Sequence, residues 1–248
     1  MGLFRSVKAG LASYAQNGVL QNWNRTLRLF EPVAGGTLLD VGCGDGEFTM
    51  LVRQRTQIAR ATGIDMFSDN LASVAKKGIE GIKSNLNEPF PIPDASVDIV
   101  VASHVIEHVS DTDLFIQEIG RVLKPGGYAV IATPNLAAWY NIVLLMLGQQ
   151  PPSTSVSDIA PVGFMERNVW NGVYNCGVGH EGSNNHRRIF VRSTLKRLFE
   201  FYGFHCEKIT ASGFPPLPWW LADLICRGFP MYGWQLMIRV RKPKQVMS

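Results

Sequence analysis

From about Gly36 to Leu147, short apolar runs alternate with stretches whose apolar residues recur at helical spacing. Apolar runs bounded by glycine and proline read as buried strands, and the sequence predicts them over Thr37–Val41, Arg60–Asp65, Ile79–Lys83, Val97–Ser103 and Gly127–Thr133. Helices are predicted to begin near Gly46, Ser68 and Asp111. The third is the best marked. Asp111 can cap it, Leu114, Ile116, Ile119, Val122 and Leu123 supply its apolar face, and Lys124-Pro125-Gly126-Gly127 is a stop signal. Strands alternating with helices in this way predict a parallel sheet covered on both faces.

The flanks differ. Residues before Gly36 read as a helical approach, in which Asn22, Trp23 and Leu27 are taken as packing residues. Gln149–His186 is rich in Pro, Ser, Asn and Gly and too long for an ordinary connection, which suits a functional loop. A helix over Val191–Tyr202 and strands over Phe204–Ala211 and Gly233–Arg241 then follow. The predicted organisation is a helical segment over residues 1–35 and one α/β domain over 36–248, carrying an insertion at about 149–190.

Composition narrows the class. With 46% apolar and 18% charged residues among 248, the chain can bury a sizeable core. Residues 1–160 carry 12 Lys and Arg against 15 Asp and Glu, whereas residues 161–248 carry 12 against 5. That basic second part suits an anionic acceptor or surface as well as a solvated face. Lys and Arg are scattered there, so no nucleic-acid partner is expected. Cys43, Cys176, Cys206 and Cys226 show no C-x-x-C spacing and read as reduced thiols. No secretory signal and no apolar stretch of spanning length is found, so a cytoplasmic location is expected. The tail from Phe214 to Trp234, with its tryptophans and prolines, suits sheet-edge packing first, and an apolar pocket or a peripheral membrane contact second.

The chemistry concentrates at Leu38-Leu39-Asp40-Val41-Gly42-Cys43-Gly44-Asp45-Gly46-Glu47-Phe48, a strand running through a glycine-rich turn into a helix. Glycines let the backbone turn tightly and approach a ligand. The helix N-terminus beyond them offers free N–H groups to an anion. A dinucleotide fingerprint would need its third glycine at position 47, which is Glu. Asp40 also disfavours a pyrophosphate and tolerates an ammonium-bearing ligand. The spacing argues against a nicotinamide enzyme.

This stretch resembles motif I of the class I S-adenosylmethionine-dependent methyltransferases, and further segments follow that family in order. Asp65, in Gly63-Ile64-Asp65-Met66, matches the acidic residue that holds the ribose hydroxyls. Ser84-Asn85-Leu86 matches the position that reads the adenine, with Asn85 where the family often has Asp. Pro91–Val100, Ser103–Val109 and Leu123–Gly127 resemble the segments around the fourth and fifth strands, so the likeness covers roughly residues 36–135. The resemblance implies a doubly wound, Rossmann-like sheet, mostly parallel with an antiparallel last strand. It implies S-adenosylmethionine as cofactor, held by Asp40, Gly42, Gly44, Gly46, Asp65, Met66, Asn85, Leu86 and Ser103. It further implies O-methylation of a small-molecule, sugar or lipid acceptor, as in ubiquinone-type relatives. A non-catalytic cofactor-binding regulator and an oxidoreductase on the same fold are the rival readings. The acceptor side has weaker markers. His104 ends the fourth predicted strand, at the edge where open α/β sheets bind ligands. His186 closes the insertion that the family comparison implies covers the acceptor. These two are the candidate catalytic residues, His108 and His205 read as bracing or structural, and no metal is assigned.

Overall fold

The computed structural model describes residues 18–155 and 186–244. Most of the predicted insertion, about 149–190, lies outside the described residues. Among the described residues a seven-stranded sheet runs in the order β3-β2-β1-β4-β5-β7-β6. Its strands are β1 (Thr37–Val41), β2 (Arg60–Asp65), β3 (Glu80–Lys83), β4 (Val97–Ser103), β5 (Leu123–Pro134), β6 (His205–Ser212) and β7 (Gln235–Arg241). The first five pair in parallel, and β7 lies antiparallel between β5 and β6.

Alternation along each strand divides the core. Leu39, Val41, Val100, Ala102, Ala129 and Ile131 point to one face, where α4 (Thr112–Val122) and α6 (Arg192–Phe201) deliver Phe115, Ile116, Ile119, Leu195 and Phe199. Leu38, Ile99, Val101, Tyr128 and Val130 point to the other face. There they meet Leu29 and Phe30, which follow a helix over 18–27 (α1), together with Phe48 and Val52 of α2 (Glu47–Thr56) and Val74 of α3 (Ser68–Lys76). Central parallel strands buried on both faces need near-continuous apolar sequence, and β4 supplies it. Trp23 stacks on Phe48 with ring centroids 5.4 Å apart, so it packs as its sequence position suggested.

Three strands keep their predicted bounds, and β5 does not. The helix-stop signal at Lys124–Gly127 ends α4, yet the chain enters β5 directly at Leu123. Leu123 already pairs with Val97, and a register shift between Val97 and Ile99 absorbs the irregular turn. The tail departs more. Trp219–Gly228 forms a helix, α7, that its prolines had hidden. Trp219 and Trp234 pack with α5 (Trp139–Met146) around Ala138, Tyr140 and Leu144. Trp220 stays 73% exposed. No helix among the described residues is long and apolar enough to cross a membrane.

Polar ties set the loops against the sheet. Asp98 accepts from the Thr37 amide at 2.9 Å, from the Thr37 hydroxyl and from Lys124 Nζ, a structural role at the start of β4. Asp111 caps α4 by accepting from the Asp113 and Leu114 amides. Glu118 and Arg121 of α4 latch the segment between β3 and β4. Phe90 N–H donates to Glu118 at 2.6 Å, and Arg121 donates to the Phe90 and Ile92 carbonyls. Removing the guanidinium takes the side-chain donor from the Ile92 carbonyl and from Glu118, while the Phe90 carbonyl keeps the Ile92 amide. Arg121→Ala should therefore cost about 2–3 kcal/mol, read as a lowered melting temperature by circular dichroism; an unchanged melt would show that the latch contributes nothing.

Candidate functional site

Four strand ends converge on one edge of the sheet. The turn after β1 is tied to β2 by the Gly42 and Cys43 amides, which donate to the Ile64 carbonyl at 2.8 and 3.2 Å. Gly42 has φ of 72°, and a Cβ built there would stand 2.6 Å from Val105 Cγ2. Glycine is therefore required where this turn meets the one after β4. Gly44 also has positive φ, 52°, but nothing lies within 4 Å of a Cβ built there. That open space is what a loop reserved for a ligand needs. Gly46 precedes the first turn of α2.

Asp65 ends β2 and is 5% exposed. Its Oδ2 accepts from the Gly44 amide at 3.0 Å, and its Oδ1 accepts from the Phe67 amide and Asn70 Nδ2. A carboxylate has about four acceptor positions. Asp65 thus spends part of its capacity holding the glycine turn in place, a role the sequence did not reveal. Asp40 lies beneath that turn, 2% exposed, and accepts from Thr49 Oγ1 at 2.6 Å. Burial pushes its carboxyl up to about 7; the Thr49 bond opposes this and the Asp65 charge adds to it.

Other expected cofactor residues line the same edge. Met66 is 48% exposed just past β2. Asn85 is exposed beyond β3, where its side chain bonds Glu88 and Asn87, and Leu86 beside it is half-buried. Ser103 is the half-buried last residue of β4. The set fits the group the family implies: an acidic residue at the β2 end, a backbone loop with room for a ligand, and an apolar and amide pair beyond β3.

Next to this lies a cluster that the sequence only half disclosed. His104 follows β4 with φ of 60°, a left-handed conformation costly for a residue with a side chain. Its Nδ1 is 3.1 Å from Glu107 Oε1, and its Nε2 is 3.1 Å from the Gln235 side-chain oxygen. Glu107 is fully buried and also accepts from Thr133 Oγ1 at 2.9 Å. Burial alone would raise its pKa. The His104 hydrogen bond and the charges of His104, His108 and His186 overcome that and hold it at about 2. An ionised carboxylate only accepts, so His104 Nδ1 carries the proton.

His186 reaches the same place from the end of the insertion. Its Nδ1 donates to the Ser153 carbonyl at 2.6 Å, and its ring meets that of His108 edge-on, centroids 4.9 Å apart. Burial lowers its pKa, with Glu107 opposing. The Arg187 and Arg188 amides donate to the Glu107 carbonyl, fixing this segment against the turn after β4. The sequence offered His104 and His186 as acceptor-side candidates and read Glu107 only as a brace of the turn, and it gave no sign of Thr133 or Gln235. Only a buried acid three positions from a histidine could have signalled Glu107.

Comparisons with known proteins concern the same part of the chain. Residues 39–131 match a family model described as a methyltransferase domain. A Mycolicibacterium smegmatis protein named as a probable S-adenosylmethionine-dependent methyltransferase is 39% identical over 110 residues, 44% of this chain and 42% of that relative. A ubiquinone biosynthesis O-methyltransferase of Bradyrhizobium is 30% identical over 143 residues, 56% of this chain and 55% of the relative. The chain spans about half the length of the curated relatives it matches. An S-adenosylmethionine dependent methyltransferase from Mesorhizobium loti shares the fold, with a TM-score of 0.59 at 18% identity over 88% of this chain and 96% of that one. Residues 39–131 are thus similar to a methyltransferase domain, and the relatives that share this stretch are named as S-adenosylmethionine-dependent enzymes.

Two measurements probe the cofactor side. Gly44→Val should fold, at about 1–2 kcal/mol for the positive φ, but lose the thermal stabilisation that S-adenosylhomocysteine gives the wild type. Normal stabilisation of this variant would place the cofactor elsewhere. Asp40 gives a pH dependence with a definite sign. A cationic ligand above a carboxyl held at about 7 favours the ionised form, so binding expels a proton below that pH. S-adenosylmethionine affinity should rise with pH up to about 7 and then level off, and Asp40→Asn should flatten the profile. Calorimetry at several pH values reads both, and a flat wild-type profile would remove Asp40 from the ligand's neighbourhood.

Proposed function

We propose that this chain transfers the methyl group of S-adenosylmethionine to an oxygen of a small-molecule, sugar or lipid-type acceptor. The observation that carries the reading is the pairing of His104 with buried Glu107 at the end of β4. The turn that holds them touches the glycine turn, through Val105 and Gly42. A base and a cofactor loop are thus adjacent. Likeness to a ubiquinone biosynthesis O-methyltransferase supports an oxygen acceptor.

When bound, the cofactor supplies an electrophilic methyl group on a sulfonium, and the electron pair of the broken C–S bond stays with sulfur. Asp65 and the Gly44 amide hold the turn that positions it. The acceptor oxygen forms the new C–O bond, and its proton passes to His104 Nε2 once the acceptor hydroxyl takes the place of the Gln235 side chain at that nitrogen. Glu107 keeps the His104 proton on Nδ1 and stabilises the imidazolium that results. The Gln235 amide, 3.1 Å from Nε2, can turn either its N–H or its oxygen to match the ring. Alignment of acceptor and methyl supplies much of the remaining acceleration. His186 is a further acceptor-side residue in this reading, with Nδ1 committed to Ser153.

The test is release of S-adenosylhomocysteine in the presence of hydroxyl acceptors. With a productive acceptor, His104→Ala should lower kcat by roughly 10²–10⁴-fold while cofactor affinity stays close to that of the wild type. Turnover near the wild-type rate in a folded His104→Ala variant would leave positioning without a base. No turnover with any acceptor, despite tight cofactor binding, would favour a regulatory protein.

A further inference from the structure

Glu107, His108 and His186 each present one ligand atom, and all three atoms lie within 4.8 Å of one another. Two of these residues are neighbours on the turn after β4, and the third arrives from beyond the insertion. Nothing in their spacing along the chain announces the meeting.

Two of the donors, His186 and Glu107, are oriented by residues outside the cluster. His186 Nδ1–H is spent on the Ser153 carbonyl at 2.6 Å, which fixes the tautomer and leaves the Nε2 lone pair available. Glu107 is steadied by His104 and Thr133, one on each carboxylate oxygen, and each oxygen keeps a second lone pair. The two imidazole rings meet edge-on, centroids 4.9 Å apart and 61° between planes. The Arg187 and Arg188 amides clamp the His186 segment to the Glu107 carbonyl at 2.7 and 3.3 Å. Glu107 is fully buried while both histidines are partly exposed, so the cluster is open on its histidine side.

The donor set selects the ion. Two imidazoles and one carboxylate suit zinc and similar first-row divalent ions better than magnesium or calcium, which prefer all-oxygen shells. Zinc sits roughly 2.0–2.2 Å from such atoms, so its ligands lie roughly 3–3.5 Å apart. Side-chain shifts of about an ångström would close the observed cluster to that spacing. We propose that Glu107, His108 and His186 form a binding site for a zinc-type divalent cation, which fastens the segment leading to Phe190 against the end of β4. Three ligands among the described residues leave room in a tetrahedral sphere for a fourth. The binding itself does not depend on the methyl-transfer reading.

The experiment uses the untagged full chain, stripped with a chelator and titrated with zinc or cobalt without S-adenosylmethionine. One equivalent of zinc is expected by calorimetry. His108→Ala and His186→Ala should each weaken it by roughly 10–100-fold or more, whereas His205→Ala, on an exposed position of β6, should not. Cobalt added to the wild type should develop visible bands of a low-coordinate site, a readout that needs no variant. A cobalt spectrum identical to that of the aqueous ion, or equal zinc affinity in folded His108→Ala, His186→Ala and wild type, would overturn the proposal. Loss of zinc binding with retained cofactor binding, or the reverse, separates this site from the methyl-transfer site.

Discussion

At Gly42 the turn after β1 lies so close to the turn after β4 that one added carbon would stand 2.6 Å from Val105. Parallel strands in a doubly wound sheet end on a common edge, but their loops normally diverge over opposite faces. Here a missing side chain lets two of them touch. The cofactor-side elements, Asp40, Asp65 and the glycine turn, become neighbours of His104 and Glu107 across that contact. Any enlargement at position 42 would separate the two halves of the chemistry before disturbing either one. A reaction that depends on distances of a few ångströms depends on that approach.

Two buried carboxylates flank the contact and are driven in opposite directions. Asp40 has one hydrogen-bond donor and another acid nearby, and burial raises it to about 7. Glu107 is equally buried but surrounded by His104, His108, His186 and Thr133, which hold it at about 2. Burial is common to both, so the neighbours decide. The first is ready to respond to a positive ligand. The second is a permanent anion that must be matched by protons or a cation from the acceptor side. Equal burial thus yields opposite shifts, set by which groups surround each acid.

Much of this was legible in the chain because local rules applied. β1, β2 and β4 are apolar runs with clear ends, and Asp111 announced α4. The glycine spacing and Asp65 were singled out through resemblance, and in the structure the Gly44 amide donates to the Asp65 carboxylate. What stayed hidden depended on partners far away in sequence. Pro and Gly at 125–127 suggested a break, yet pairing of Leu123 with Val97 extends β5 through it. Pro215, Pro216 and Pro218 obscured α7, which begins directly after them and is held by packing of Trp219 and Trp234 with α5. Asp65 read as a ligand-binding acid, and its hold on the Gly44 amide could not be seen without the turn's shape.

The acceptor side shows why the second half of the chain is needed at all. β7 enters antiparallel between β5 and β6, and its first residue, Gln235, pairs with Pro134. That register sets Gln235 opposite His104 Nε2. Thr133, one residue earlier on β5, reaches Glu107, and the His186 segment closes from beyond the insertion. The first five strands could form the cofactor edge unaided. The histidine, however, would then have only one of its two nitrogens supported, and its buried acid would lack the His186 imidazole from beyond the insertion. Reversing one strand brings a side chain from the far end of the sequence to the Nε2 of His104. Among the described residues, the sheet's one departure from parallel order is therefore what completes the surroundings of His104.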